Sequence, residues 1–407
     1  MVNKRKFTPE GVEDINSAKY EKKELIQTKI KEIFRTFGYT QVLTPTFEYY
    51  DLFSEMDSSM NLDDMYKLID KNGKILVLRP DVTIPIARMV ATSYNTINDD
   101  IKLSYNTSVY RSADFRAGER REFIQAGIEY IGNNSAEADA EVIATAIKAM
   151  QSLNFDSIHI DMGETDYFKG IMQSLDIEDE AKYTIKQLIE KKNLGDLKNL
   201  LKTISIEDDY KELLLEIPLL YGEMHEVLDK IKHSILTESM KKAIDNMCSI
   251  YKILDDYGYG DFIFIDLGLV NHLEYYSGMI FKGYIGNHGL PVLSGGRYDE
   301  LLGKFGREIS ARGFGINIDE ILSAMKDTQL LDFTMNKKDY LILYHERNRK
   351  LGFKESDGLR SKGFIVEAKK LKDDDKVLGE ELAIKYKFDN YKKVLLVSDD
   401  NVDRIKD

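Results

Sequence analysis

Apolar residues at Ile26, Ile30, Ile33, Phe34 and Phe37 recur three and four positions apart, which places them on one stripe of a helix over residues 18–37. Gly38 follows as a stop, because glycine takes the left-handed conformation that closes a helix without steric cost. From residue 39 to about 131 the period shortens. Brief β-rich runs such as 75–78 and 101–105 alternate with turn residues and predict strands of one antiparallel sheet. Helical spacing returns over 137–153, and 157–162 reads as another strand. From about 164 to 259 the chain is rich in Leu, Ile, Lys and Glu at helical spacing, which predicts a helical insertion. Strand-like runs resume at Phe262, and a helix is expected to begin near Asp319. Past a boundary near residue 330, the runs 340–344, 364–367 and 394–397 are strand-like and separated by helical stretches. The expected class is α+β: a core built from 1–163 and 260–330, a helical insertion over 164–259, and a small α/β module over 331–407.

Composition narrows the function. A chain of 407 residues with 43% hydrophobic positions has room for two or three domains. A net charge of -13 repels phosphate backbones, and no basic patch of convincing size offsets it. Cys248 is the only cysteine, which excludes an internal disulfide framework and a multi-thiolate metal site and fits a reducing cytoplasm. His159, His225, His233, His272, His288 and His345 are scattered without metal-ligand spacing, so no metal or cofactor is expected; only His272 lies close to the candidate chemistry below. Lys4, Arg5 and Lys6 are not followed by an apolar stretch, and no run approaches the roughly 20 apolar residues of a membrane helix. The chain is expected to be neither exported nor embedded.

Four clusters carry chemistry. Gly38-Tyr39 followed by Thr44-Pro45 and Glu48 reads equally as a helix end running into an edge strand. In Leu78-Arg79-Pro80-Asp81-Val82-Thr83, with Arg88 after it, a carboxylate and a hydroxyl stand two residues apart on one face if the segment is extended, which suits gripping an amine or imidazole. The third cluster is Tyr110-Arg111, a loop with Arg116 and Gly118, then Arg120, Arg121, Glu122, Phe123, Gln125 and Glu129. A strand from Arg121 onward would send Arg121, Phe123, Gln125, Gly127 and Glu129 to one face. That face is either a solvated edge or a polar pocket floor, in which Arg111 takes a carboxylate through its planar fork and Glu129 an ammonium. The fourth cluster, Leu273-Glu274-Tyr275-Tyr276-Ser277-Gly278 with Ser294-Gly295-Gly296-Arg297-Tyr298-Asp299, offers close backbone approach and tyrosine hydroxyls, though a double glycine alone is weak evidence.

In this order, and from about Phe7 to Met325, the clusters resemble histidyl-tRNA synthetase and its paralogues. The resemblance implies a class II synthetase-like antiparallel sheet flanked by helices. It makes 38–48 similar to the first class II signature, which builds a homodimer interface, and 110–129 similar to the second, which binds ATP and amino acid. It also implies a histidine pocket at Asp81, Thr83, Arg111, Gln125, Glu129, Tyr275 and Tyr276. Two catalytic positions depart from the family. Asn271 stands where the catalytic arginine precedes the Tyr-Tyr element, and Glu320 stands where an ATP-binding arginine closes the third signature. Ala113 and Glu119 likewise replace an expected glutamate and arginine. Adenylation builds charge on phosphate oxygens that preorganised cations must meet, and an arginine in such a role is worth on the order of 10³ to 10⁵ in rate in related phosphoryl chemistry.

Retaining the amino-acid positions while losing the nucleotide ones is what a histidine sensor would look like. The resemblance therefore implies the family's non-catalytic branch, whose members regulate the short-form ATP phosphoribosyltransferase of histidine biosynthesis. The implied partners are the catalytic ATP phosphoribosyltransferase subunit in a hetero-oligomer, a second copy of this chain in a homodimer, and L-histidine as feedback effector. Neither tRNA nor a membrane is among them, since residues 331–407 resemble a shortened anticodon-binding domain in which both charge signs are interleaved and Asp373-Asp374-Asp375 interrupts the surface. Three other readings stay open: a working histidyl-tRNA synthetase, a paralogue that adenylates another small molecule, and a fold kept as an interaction platform without histidine binding.

Overall fold

Asn16 accepts the Lys19 amide at 3.0 Å and so caps the first helix, α1 (Ser17–Thr36), while Gly38 at φ +87° ends it. The buried face of α1 is Lys23, Ile26, Ile30 and Phe34, and the Phe34 ring meets Phe314 edge-on at 5.8 Å. The computed structural model describes residues 7–56, 62–94, 100–112, 120–232, 234, 237–270, 276–327, 337–372, 380–398 and 401–406.

After α1 come β1 (Thr40–Gln41), β2 (Phe47–Tyr49), α2 (Asp51–Ser54), β3 (Lys67–Ile69), β4 (Ile75–Leu78), α3 (Thr83–Ser93), β5 (Ile101–Tyr110), β6 (Glu122–Ile131), α4 (Ala136–Ser152) and β7 (Ile158–Glu164). A helical stretch follows: α5 (Thr165–Ser174), α6 (Asp179–Glu190), α7 (Leu194–Thr203), α8 (Asp208–Glu216), the two-residue strand β8 (Tyr221–Gly222), α9 (Met224–Ile231) and α10 (Glu238–Asp256). The chain then returns through β9 (Ile263–Asp266), β10 (Met279–Ile285), β11 (Leu293–Arg297), β12 (Ala311–Asn317) and α11 (Ile318–Asp327).

The large sheet runs β1-β5-β6-β12-β11-β10-β7-β9-β8. It is antiparallel from β5 to β7, whereas β1–β5 and β7–β9 are parallel pairs. The expectation of one sheet over 39–131 is corrected here: the run 75–78 lies in a separate three-stranded sheet, β2-β4-β3. The last rung that β1 makes to the large sheet is the Val42 amide to the Ser104 carbonyl, and beyond it the carbonyls of Thr44 and Pro45 turn to Arg79. Arg79, 3% exposed, donates to the carbonyls of Thr44, Pro45 and Ser108 and to the Thr107 hydroxyl, which pins this departure point against β5.

Pairing and alternation give the large sheet two distinct faces. Gly295, Phe314, Phe281, Met162 and Ile128 point toward α1 and α4, where Phe281 and Phe314 meet edge-on at 6.1 Å. Within that layer Arg312 and Asp139 are both fully buried, with Arg312 Nη1 3.1 Å from Asp139 Oδ1 at an angle too oblique for a hydrogen bond. Arg312 also donates to the carbonyls of Ser135 and Asn133, just ahead of α4.

Contacts divide the chain into Met1–Leu331 and Asp332–Asp407. The helical stretch belongs to the first unit and contributes β8 to the sheet edge through its antiparallel pairing with β9. The second unit holds β13 (Lys338–Tyr344), α12 (Arg349–Arg360), β14 (Val366–Lys370), α13 (Glu380–Tyr386), β15 (Tyr391–Val397) and β16 (Val402–Lys406) in the order β14-β13-β15-β16, parallel except for β16. Among the described residues no helix is long and apolar enough to cross a membrane.

A buried ion pair punishes the loss of one partner more than the loss of both. Asp139→Ala is expected to cost about 3–5 kcal/mol, read as a lowered urea midpoint by tyrosine fluorescence, since the chain has no tryptophan. A cost below about 1 kcal/mol would mean that this pair does not hold α4 to the sheet.

Candidate functional site

The second face of the sheet is nearly bare of side chains where β6, β12 and β11 meet. Gly313 sits opposite Glu129 in the ladder, and a Cβ on it would stand 2.0 Å from Glu129 Oε2. Gly296 sits opposite Gly313, and a Cβ there would meet the Tyr276 ring at 2.7 Å. These glycines leave the recess into which Glu129, Gln125 and Tyr276 project.

Glu129 is 1% exposed. Thr83 Oγ1 donates to its Oε1 at 2.8 Å, and the Tyr298 hydroxyl donates to its Oε2. Burial pushes its carboxyl up to about 8; the two hydrogen bonds oppose that rise, and the nearby Asp81 charge adds to it. Asp81 is likewise raised by burial, held back by the amide of Ile84 at 2.9 Å and by the Arg111 charge. The expectation of an extended segment at Asp81–Thr83 is corrected: Thr83 is the first residue of α3, and Asp81 satisfies that helix's free amides. The hydroxyl therefore reaches Glu129 from a helix end.

Arg111 is exposed, donates through Nε to the Pro80 carbonyl at 3.0 Å, and lies 5.4 Å from the Phe123 ring centre. Gln125 keeps a buried Oε1 without a partner among the described residues. Tyr276 is 8% exposed and packs in the apolar cluster with Val82, Tyr105 and Tyr298. Tyr275 and Asn271 lie outside the described residues, as do Ala113 and Glu119. Tyr105 and Tyr298 were not among the expected site residues. Tyr298 stood inside the fourth cluster, and Tyr105 was detectable only through register, since it pairs with Gly127 and so shares the face of Glu129.

The neighbouring region looks different. Glu320, where the resemblance leads us to expect an ATP-binding arginine, receives a 2.8 Å contact from His288 Nε2. Asp319, 4% exposed, takes Lys23 at 2.7 Å and Arg120 at 2.6 Å, and Arg120 also pairs with Glu13. The cations described here are matched by the chain's own carboxylates.

The histidyl-tRNA synthetase family model matches residues 11–321. An ATP phosphoribosyltransferase regulatory subunit of Acetivibrio thermocellus is 40% identical over 367 residues, which cover 90% of this chain and 87% of that protein. The chain belongs to the ATP phosphoribosyltransferase regulatory subunits of the histidyl-tRNA synthetase family. A member of these regulatory subunits from Caldanaerobacter subterraneus is 37% identical over 89% of this chain and 93% of its own. The crystal structure of an ATP phosphoribosyltransferase regulatory subunit/histidyl-tRNA synthetase from Bacillus halodurans superposes with a TM-score of 0.84 at 30% identity, over 96% of this chain and 97% of that one. A histidyl-tRNA synthetase from Nostoc, 20% identical with a TM-score of 0.81 over 98% of this chain and 96% of that one, shares the fold.

Because the folded-state pKa of Glu129 is raised above its ordinary 4.5 to about 8, folding holds its proton, and that contribution fades as pH rises from about 4.5 through 8. Glu129→Gln, which cannot ionise, is expected to gain stability relative to the unaltered chain over this interval, by an order of a few kcal/mol, and to hold a constant lead above pH 8. Urea midpoints at pH 5, 7 and 9 measure it; a difference that does not vary with pH would show that Glu129 ionises freely in the folded chain.

Proposed function

We propose that this regulatory subunit senses histidine in the glycine-floored recess and, through that binding, sets the activity of a catalytic ATP phosphoribosyltransferase subunit. The observation that carries the reading is the pairing of two opposite fates within one site. Glu129, Thr83, Asp81, Gln125, Arg111 and Tyr276 converge on one recess, while Glu320 faces His288 where a phosphate-binding arginine would belong.

In this reading Glu129 meets the ligand's cationic nitrogen, Arg111 its carboxylate, and Tyr275 and Tyr276 are further histidine-binding residues. Glu129 is largely protonated near neutral pH, so a cationic ligand binds with release of a proton. The partner is activated by association and inhibited when histidine favours a second arrangement of the complex, with a coupling of about 1 to 3 kcal/mol. Adenylation is not supported, because cations at Asn271 and Glu320 are missing from the sequence.

The chain also forms a homodimer in this reading. The outer face of β2-β4-β3 presents Phe47, Tyr49 and Leu68, exposed at 54%, 53% and 41%, and Leu43 is exposed at 75% beside them in sequence. An apolar surface of this kind on one small sheet is an association site. The chemistry of tRNA is disfavoured by the net charge of -13, so tRNA is not a partner.

In the complex reconstituted with its catalytic subunit, Glu129→Gln is expected to raise the histidine concentration for half-inhibition by roughly 10- to 150-fold, the equivalent of one charge-assisted contact, while leaving activation in place. Tyr276→Phe should shift it in the same direction by less. If both inhibition curves coincide with that of the unaltered complex, the recess is not the sensor. Light scattering of the chain alone should give twice the monomer mass, and Phe47→Asp with Tyr49→Asp should return it to one. A dimer that survives this double change would move the interface elsewhere.

A further inference from the structure

The opposite side of the same sheet holds a second cavity that the reading above does not use. It lies between the ends of β7, β10 and β11 and the helices α5 and α10, with about 490 Å³ of open volume. Glu164 closes its inner end and Lys242 stands toward its mouth. By strand alternation Glu164 and Arg297 point away from the glycine-floored face, and Arg297 reaches Asp139 of α4 at 3.4 Å.

Glu164 is 3% exposed, yet its carboxyl is poorly served. Asn246 donates to Oε2 at 3.2 Å, and the Asp166 amide contacts Oε1 at 3.4 Å. No ion pair reaches it among the described residues. The other charges in the wall are largely matched: Arg297 is held by Asp299 at 2.6 Å, and Lys169 lies 3.8 Å from Asp166 and donates to the Tyr276 carbonyl. Lys242, like Glu164, has no ion-pair partner among the described residues. The cavity therefore presents one unmatched carboxyl and one unmatched ammonium. Lys242 stands four residues before Asn246 on α10, so the lysine and the amide that serves Glu164 lie on the same face of that helix and line the same cavity. Gly278, at φ +87°, forms the wall beside Glu164 in a left-handed conformation that glycine adopts without strain.

We propose that this cavity binds a small zwitterion of amino-acid size, with its ammonium on Glu164 and its carboxylate on Lys242. A carboxyl and an ammonium without ion-pair partners in the walls of one cavity favour a molecule carrying both signs over one carrying either alone. Burial raises the Glu164 carboxyl to about 8, so capture of an ammonium group below that pH displaces a proton and tightens as pH approaches 8.

The test uses the full chain carrying Glu129→Gln, which weakens the other recess. The twenty protein L-amino acids and 4-aminobutyrate are screened by saturation-transfer NMR, and any binder is titrated calorimetrically. At least one is expected to bind, and its affinity should fall by roughly tenfold or more in chains that also carry Glu164→Gln or Lys242→Met. For 4-aminobutyrate, butylamine and butyrate serve as single-charge controls and should bind correspondingly more weakly. Lys242 is on the surface, so Lys242→Met keeps the test valid if Glu164→Gln disturbs folding. No binding by any of these probes, or binding that ignores both changes, overturns the proposal. Loss of histidine inhibition in Glu129→Gln alone speaks only to the glycine-floored recess, so the two readings fail separately.

Discussion

A carboxyl taken out of water costs free energy that only hydrogen bonds or a cation can offset, and Glu129 is where this molecule bears that cost. Its neighbours follow from it. Gly313 must lack a side chain because Glu129 occupies the space, Thr83 must begin a helix to aim its hydroxyl, and Tyr298 must turn inward to supply a second donor. With no ligand cation, the carboxyl holds a proton at neutral pH, and Thr83 and Tyr298 serve its two oxygens. A ligand bringing a cationic nitrogen changes that balance through charge, without requiring the backbone to move.

The adjoining region is governed by the same rule with another outcome. Asp319 is almost wholly buried, and Lys23 from α1 and Arg120 come to it. A nucleotide entering here would have to compete with Asp319 and Glu13 for those cations, and would meet Glu320 held by His288. The two regions thus differ in which groups already have partners, and the proposed sensing role rests on that difference.

Periodicity gave the helices well, because a long amphipathic stripe such as Ile26, Ile30 and Phe34 is a local property that tertiary packing then uses without altering. It gave the strands but not their sheet. The run 75–78 pairs with β2 and β3, where Arg79 holds the Thr44 and Pro45 carbonyls as the chain leaves β5, and pairing partners far apart in sequence leave no local trace. Asp81 was misread for a related reason: an aspartate two residues after Arg79 looks the same in an extended segment and at a helix start, and only the amide of Ile84 distinguishes them.

What the sequence determined by itself was the set of chemical groups: which carboxylates, hydroxyls and tyrosines are present, and that Asn271 and Glu320 stand where the resemblance leads us to expect cations. These are statements about residue identity, and identity is fixed before folding. What only the tertiary structure decided was the state of those groups. Glu129 and Glu164 are glutamates like any other in the chain, and both rise to about 8 because strands and helices from distant segments remove water from around them. His288 lies 32 positions from Glu320 and meets it only across the folded site. Burial and partnership depend on three-dimensional proximity, which no spacing along the chain encodes.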